Sequence, residues 1–461
     1  MVNYHLVVLT HGLWGQPWHM EYLESQINQN VKPTSPNEEI IVYKTGSHTG
    51  YLTYDGIDIN GKRISDEIIA QTELLSSNSR LDKVTKFSIV GYSLGGLISR
   101  YAIGVLFSQN YFQDIEPINF ITFCSPHVGV LNPMNYTIAA KLFNNFAYQF
   151  LAYSGSQLFL KDRIENQNTP LLVWMADPNS YFFQSLKQFK HRSLYSNLVN
   201  DKRTCWFTSG IESSDPFNSM VNESALNLSV GFVKNYEPVI VDLNQPHKYI
   251  GITKTTYVQP HASTTRFIRS LNWLRVFGTV IIYLPIWFLV FSIGSIFQRL
   301  RLNRRVKLYF RDASNNLMHL YEMIQDPFED PIVPDGKNID GEDDNQSDYF
   351  DSFKRDITNK VRDQQDEFVE SVFDVMNNNN ISEQELDEKI ENVGNVAKLN
   401  FNSDQLYIIN SLNTLEWSKF PLLIRNTKHA HAAAIYRFND KNFGEGKLVV
   451  SHFVNETFKL E

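Results

Sequence analysis

Residues 84–96 read VTKFSIVGYSLGG, and how this stretch is read decides the fold. A β-branched, apolar run ends at Val90, and a serine follows between glycines, Gly91-Tyr92-Ser93-Leu94-Gly95. From Leu94 onward the apolar spacing is that of a helix, predicted over 94–107. By itself Gly-x-Ser-x-Gly is a common chance arrangement. A strand before it and a helix after it are the context in which the serine stands on a sharp, strained turn, with glycines where any Cβ would meet neighbouring backbone. Ser93 is therefore the candidate nucleophile.

The flanking chain has the same rhythm. Residues 4–10, 39–43, 84–90 and 118–123 read as strands, while 61–75, with Ile64, Ile68 and Leu75 at helical spacing, reads as a helix. Short apolar strands alternating with helices predict an α/β class with a mainly parallel sheet covered by helices on both faces. An aromatic-rich stretch at 131–160 suggests a helical cap over the carboxyl ends of the strands, within a cap region of about 131–180. A further helix is predicted over 182–190 and a strand over 193–199. Residues 246–400 look foreign to such a core, and the pattern resumes with a helix over 403–415 and a short strand over 420–424. The expected division is a first part of the core at 1–245, an insertion at 246–400 and a returning part of the core at 401–461.

A serine nucleophile also needs a base, an orienting acid and donors for the oxyanion. The first strand ends in Thr10-His11-Gly12-Leu13-Trp14-Gly15, a loop that lies beside the serine turn when both strands are central. The amides of Leu13 and Leu94 are then the candidate oxyanion donors. His11 itself, as base, would give an odd chain order for this kind of fold. The acid is sought among Asp177, Asp201 and Asp215, and the base among His429, His431 and His452. Asp201 follows a predicted strand and stands in a turn, but spacing does not choose among the histidines. His127, in SPHVG, reads as a structural histidine near the site's edge. There is no HExxH, His/Asp cluster, phosphate-binding loop or dinucleotide fingerprint, so neither a metal nor a cofactor is expected.

A net charge of -8 and a pI near 5.9 argue against nucleic acid as a partner. The two cysteines, Cys124 and Cys205, supply no disulfide framework and suit a reducing compartment. The opening MVNYHLVVLTHG has no basic stretch ahead of an apolar one, so no secretory signal is expected. Residues 276–298, VFGTVIIYLPIWFLVFSIGSIFQ, contain no charge in 23 positions and are flanked by Arg266, Arg269 and Arg275 on one side and Arg299, Arg301, Arg304 and Arg305 on the other. That is long enough to enter a bilayer, and Pro285 favours a bend. A buried core helix, a single tilted crossing and a bent wedge are the readings open to such a run; with Ser93 before it and the candidate bases after it, both flanks should stay on one side, which favours a wedge in a lipid monolayer or leaflet.

The chain resembles the DUF676 serine esterase family, a lipase-like branch of the α/β hydrolases, and within it the fungal lipid-droplet phospholipases. The matching pieces, in order, are VVLTHGLWG, VGYSLGGLISRYAIG, FITFCSPHVG, FKHRSLYSNLVNDKRTCWFTSGI and INSLNTLEWSKFPLLIRNTKHAHAAAI. The resemblance implies the α/β-hydrolase fold with Ser93 as nucleophile, Asp201 as acid and His431 as base. It further implies hydrolysis of long-chain acyl esters of glycerolipids, phospholipid first, at a lipid droplet or the cytosolic face of the endoplasmic reticulum. A triacylglycerol lipase or an acyltransferase would use the same three groups, and a non-catalytic membrane scaffold could keep the same core. Two positions depart from the family pattern: Tyr92 stands where histidine is common, and Thr204-Cys205 stands where Val-Pro is common.

Overall fold

The strand β1 (Asn3–Thr10) is buried from Tyr4 to Thr10, so both of its faces are covered, as a central strand requires. In the computed structural model of the chain it belongs to a six-stranded sheet. The other strands are β2 (Glu38–Lys44), β3 (Lys83–Tyr92), β4 (Glu116–Phe123), β5 (His191–Asn197) and β6 (Ser418–Leu422). The order is β6-β5-β4-β3-β1-β2 and every pairing is parallel. The described residues are 2–77, 82–133, 141, 143–145, 147–164, 168–201, 203–215, 227–245, 248–250 and 397–461, all within one compact unit made of Met1–Val306 and Asp387–Glu461. The apolar run at 276–298 and nearly all of 246–400 lie outside them. Among the described residues no helix is long and apolar enough to cross a membrane.

Parallel strands need crossovers, and helices supply them. Among the described residues the helices of eight residues or more are α1 (Glu21–Asn30), α2 (Ile57–Ser77), α3 (Leu94–Ser108), α4 (Tyr181–Gln188), α5 (Ser403–Leu412) and α6 (Gly444–His452). On one face Leu23 and Ile27 of α1 and Val449 and Val450 of α6 pack with Val7, Leu9, Val90, Ile121, Phe123 and Tyr195 from four strands. On the other face α2 packs against α3, and α3 against α4. This is a mainly parallel sheet with helices on both sides. Strand β2 lies on one side of β1 and β3 to β6 on the other, so successive connections diverge at the carboxyl ends of β1 and β3. The crevice left there is where such sheets bind ligands.

Two devices close the structure around that crevice. Strand β6 is an edge strand carrying Pro421, which has no amide to donate. Its outer side is covered by 239–241, with Val241 donating to the Pro421 carbonyl at 2.9 Å and Leu423 to that of Val239 at 2.8 Å. In the expected cap region, the described residues include helical positions at 141 and 143–145, a 3-10 turn (Ala147–Leu151), a seven-residue helix (Ala152–Leu158) and a four-residue helix (Leu171–Trp174). Polar groups fasten this segment to the chain beyond β2. The amide of Gly56 donates to Ser154 Oγ at 3.1 Å, and Gln157 Nε2 donates to Asp58 Oδ1 at 2.9 Å.

The chain after β6 is held by α6. Glu445, nearly buried, accepts the amides of Arg425 and Asn426 on one carboxylate oxygen, each at 2.8 Å. These amides begin the loop that leads to His429 and His431. Replacing Glu445 by alanine should leave two inward amides without an acceptor and lower stability by about 3 kcal/mol, whereas Glu445→Gln, which keeps an oxygen there, should recover most of it. Denaturant unfolding of the two variants beside the parent protein measures the difference. Equal stability of the alanine and glutamine variants would contradict this role.

Candidate active site

Ser93 joins β3 to α3 with φ 55 and ψ −128, a backbone conformation that costs a non-glycine residue on the order of 1–3 kcal/mol. Its amide donates to the Phe123 carbonyl at 2.8 Å, and its carbonyl accepts from Gly96 at 3.1 Å, so the strained turn is pinned at both ends. The tight turn also needs the flanking glycine. A Cβ on Gly95 would lie 2.3 Å from the Thr10 carbonyl oxygen and 2.5 Å from that of His11. Close approach of β1's terminal loop to the first turn of α3 therefore depends on that missing side chain.

The histidine arrives from the far end of the sequence. After β6 the chain passes Thr427 and enters a four-residue helix, Ala430–Ala433, whose alanines let it bury closely against the sheet. His431 in this helix places Nε2 2.9 Å from Ser93 Oγ and Nδ1 2.9 Å from Asp201 Oδ2. A carboxylate only accepts, so Nδ1 carries the proton, and the Nε2 lone pair of the neutral ring faces the serine hydroxyl. The hydroxyl of Tyr92 donates to the His431 carbonyl at 3.1 Å, and the two rings lie 5.1 Å apart. The residue beside the candidate nucleophile thus holds the candidate base.

Asp201 follows β5 in a turn opened by Asn200, a residue type that tolerates its left-handed φ of 58. Its Oδ1 accepts the amides of Arg203 at 3.1 Å and Thr204 at 3.0 Å. Its Oδ2 accepts from Asn197 Nδ2 and Thr204 Oγ1, both at 3.0 Å, and from His431. Burial alone would raise this carboxyl; the adjacent His431 and the ring of donors outweigh it and hold the carboxyl at about 2. Thr204 Oγ1 also lies 3.3 Å from His431 Nδ1, so it touches both partners. Tyr92, Asn197 and Thr204 were not anticipated as site residues, and only Thr204, three residues after an acid, carries a sequence signal for such a bond.

Loop 10–15 wraps the serine. A Cβ on Gly12 would stand 2.7 Å from Ser93 Cβ and 3.3 Å from its Oγ, so the backbone leading into Leu13 runs beside the hydroxyl. Leu94 is the first residue of α3, where amides have no partner within the helix. The expected oxyanion donors, Leu13 and Leu94, therefore flank Ser93 from two sides.

The other candidates are placed elsewhere. Asp177 accepts from the amide of Asn179 and the hydroxyl of Tyr407, and Asp215 lies in a two-residue strand paired with Ala397–Lys398. His452 is in α6, with Nδ1 2.8 Å from the Tyr195 hydroxyl, and burial lowers its pKa to about 4. His429 precedes the short helix and its carbonyl accepts the amides of Ala432 and Ala433. His127 Nε2 meets Thr122 Oγ1 at 2.9 Å in the buried interior. Cys124, Asp201 and His431 bring three potential metal-donor atoms within 4.8 Å of one another. Two of those atoms already form the acid–histidine bond. The third belongs to a thiol that burial pushes well above its ordinary pKa.

Residues 2–215 match the family described as "Putative serine esterase (DUF676)". A protein named as a putative lipase in Schizosaccharomyces pombe is 31% identical over 217 residues, 46% of this chain and 26% of its own length. Another so named, in Saccharomyces cerevisiae, is 30% identical over 259 residues, 56% of this chain and 35% of its own length. The chain thus spans about a quarter to a third of these curated relatives. Among solved structures, a lipase-esterase related protein from Clostridium acetobutylicum aligns with 10% identity over 45% of this chain and 79% of that one, at a TM-score of 0.23.

The depressed carboxyl makes a pH-dependent contribution to stability. Its folded value of about 2 lies below the ordinary 3.8, so the stabilisation is complete above about pH 4 and disappears as pH falls through about 2. The stability gap between the parent protein and Asp201→Asn should therefore shrink by about 2 kcal/mol as pH is lowered over that interval. Urea titrations at several pH values measure the gap, and a gap independent of pH would contradict the assignment of its cause.

Proposed function

We propose that the chain is a serine hydrolase cleaving long-chain acyl esters of glycerolipids, phospholipids first, at a lipid-droplet or membrane surface. The observation that carries the reading is the unbroken chain from Ser93 Oγ to His431 Nε2 and from His431 Nδ1 to Asp201 Oδ2, each link 2.9 Å. Ser93 Oγ attacks the ester carbonyl carbon while its proton passes to His431 Nε2. The Leu13 and Leu94 amides donate to the oxyanion. Collapse of the intermediate breaks the carbon–oxygen bond to the alcohol, which leaves with the proton from Nε2. Water, deprotonated by the same nitrogen, then attacks the acyl-enzyme and frees the fatty acid, returning the proton to Ser93. Asp201 stays ionised throughout and stabilises the imidazolium as it forms.

The lipid part of the reading is supported by the lipase names of the relatives, by the uncharged sequence at 276–298 and by the aromatic side chains Trp14 and Tyr54, which meet edge to face beside the loop of Leu13. Preference for phospholipid rests on the resemblance to lipid-droplet phospholipases.

Ser93→Ala should remain folded, lose labelling by a fluorophosphonate probe, and lose hydrolysis by on the order of 10⁶-fold. Assay of both proteins on phosphatidylcholine, lysophospholipid, triacylglycerol and monoacylglycerol, with fatty-acid release as the readout, tests the activity and its substrate class together. Undiminished release by the folded variant would overturn the mechanism, and release from triacylglycerol alone would overturn the phospholipid preference. For the location, deletion of 277–297 should shift the protein from the lipid-droplet and membrane fractions to the soluble fraction. A full-length protein already soluble would overturn it.

A further inference from the structure

Beneath the loop that carries Leu13 lies a pair of histidines that the reaction just described does not use. His11 and His48 are both fully buried, with ring centroids 3.8 Å apart and planes inclined by only 10°. His48 follows β2 and reaches back under β1's terminal loop. Its Nε2 lies 3.2 Å from the His11 carbonyl oxygen, and its Nδ1 has no hydrogen-bond partner among the described residues. His11 Nδ1 lies 3.1 Å from the carbonyl oxygen of Gly12, the next residue.

Carbonyl oxygens only accept, and this fixes the protons. His48 must carry its proton on Nε2 and His11 on Nδ1. Two imidazolium rings stacked this closely away from water would repel strongly, and burial indeed lowers the pKa of His48 to about 4, with the nearby Glu67 and Arg63 pulling in opposite directions. His48 is therefore neutral, with its proton on Nε2, and each ring donates to one of two successive carbonyls.

A trans peptide points its N–H opposite to its C=O. The Gly12 carbonyl shares its peptide with the Leu13 amide. That carbonyl is turned inward by His11 Nδ1 and by the amide of Gly15, which donates to it at 2.9 Å. The Leu13 amide must then point the other way, out of the histidine pair. The His11 carbonyl one peptide earlier is fixed between His48 Nε2 on one side and Gly95 on the other. His48 therefore anchors the first of the two peptides whose orientation sets the second.

We propose that His48 is a positioning residue for ester cleavage: by donating from Nε2 to the His11 carbonyl and stacking on the His11 ring, it aims the Leu13 amide at the oxyanion. The proposal rests on the serine-hydrolase reading above. His48 touches neither substrate nor Ser93. It acts through the loop, so its loss should be felt in the transition state and not in substrate binding.

The test uses the full-length protein with His48→Met, which fills the space without a donor, and His48→Gln, whose amide nitrogen can reach the position of Nε2. The methionine variant should lose on the order of 10²-fold in kcat with KM nearly unchanged, since a displaced oxyanion donor penalises only the transition state. Affinity for an alkyl boronic acid, which presents a tetrahedral oxyanion to the site, should fall with kcat, and His48→Gln should restore most of both. Imidazole-nitrogen NMR of the parent protein should show His48 protonated at Nε2 alone between about pH 5 and 8, which tests the geometry even if the methionine variant does not fold. A resonance showing His48 protonated at Nδ1, or doubly protonated, would overturn the proposal. So would a folded His48→Met protein with unchanged kcat, or one whose KM rises while kcat holds. A parent protein that cleaves no ester and takes up no fluorophosphonate would instead overturn the serine-hydrolase reading, and the role of His48 with it.

Discussion

Everything in the site is arranged around the backbone of Ser93, held where an L-residue is strained. The strain persists because the turn is confined from several directions: Phe123 accepts its amide, Gly12 presses on its Cβ, and the loop of β1 leaves no room for a side chain at Gly95. These contacts come from β1, β3 and β4, neighbours in the centre of the sheet. The strand order places the divergence of crossovers at β1 and β3, so the same topology opens the crevice and supplies the walls that hold the serine rigid. A rigid serine is useful only if its partners are equally fixed. The hydrogen bonds of Glu445 to the loop after β6, and the five donors converging on Asp201, meet that demand for the histidine and the acid.

The core strands were legible because their burial is continuous. Runs such as 4–10 and 84–90 consist almost wholly of residues that favour a pleated, covered surface, and they reappear as β1 and β3 with only a residue or two added at the ends. Helix α1 was not legible. Its sequence EYLESQINQN buries only Leu23 and Ile27, too few apolar positions for periodicity to show. Helix α6 was masked by Gly444 and Gly446 and by a polar first turn. Helix α2 begins four residues ahead of the predicted start, at Ile57, because the buried Asp58 is satisfied by Gln157 of the cap segment, a long-range hydrogen bond that local pattern cannot reveal. In the site, the serine turn could be read from the thirteen adjacent residues 84–96. The pairing of His431 with Asp201 spans 230 positions, and only the resemblance, not spacing, singled out those two from their alternatives.

The two departures from the family pattern both touch the hydrogen-bonded triad. Tyr92 replaces an imidazole beside the nucleophile with a longer phenol, and its hydroxyl reaches the backbone of His431. Thr204 replaces an aliphatic residue with one whose amide and hydroxyl both donate to Asp201. A proline at the following position would leave Thr204 its amide, so the change adds a donor without removing one. Both positions bond directly to the acid or the histidine of the site. Residues that depart from the resembled pattern are here part of the reason the acid and the histidine stay in place.

The distance in sequence between Ser93 and His431 has a consequence for how the protein comes into being. The two groups that share a hydrogen bond are 338 residues apart, and the acid lies between them. Translation at roughly 5–20 residues per second leaves the nucleophile's strand outside the ribosome for tens of seconds before the histidine can reach it. During that interval β5 is an uncovered sheet edge awaiting β6, and the serine has no base to activate it. The candidate nucleophile thus stays without its base until the docking event that seals the sheet. Order of synthesis, written into the strand order, ties completion of the candidate site to closure of the sheet.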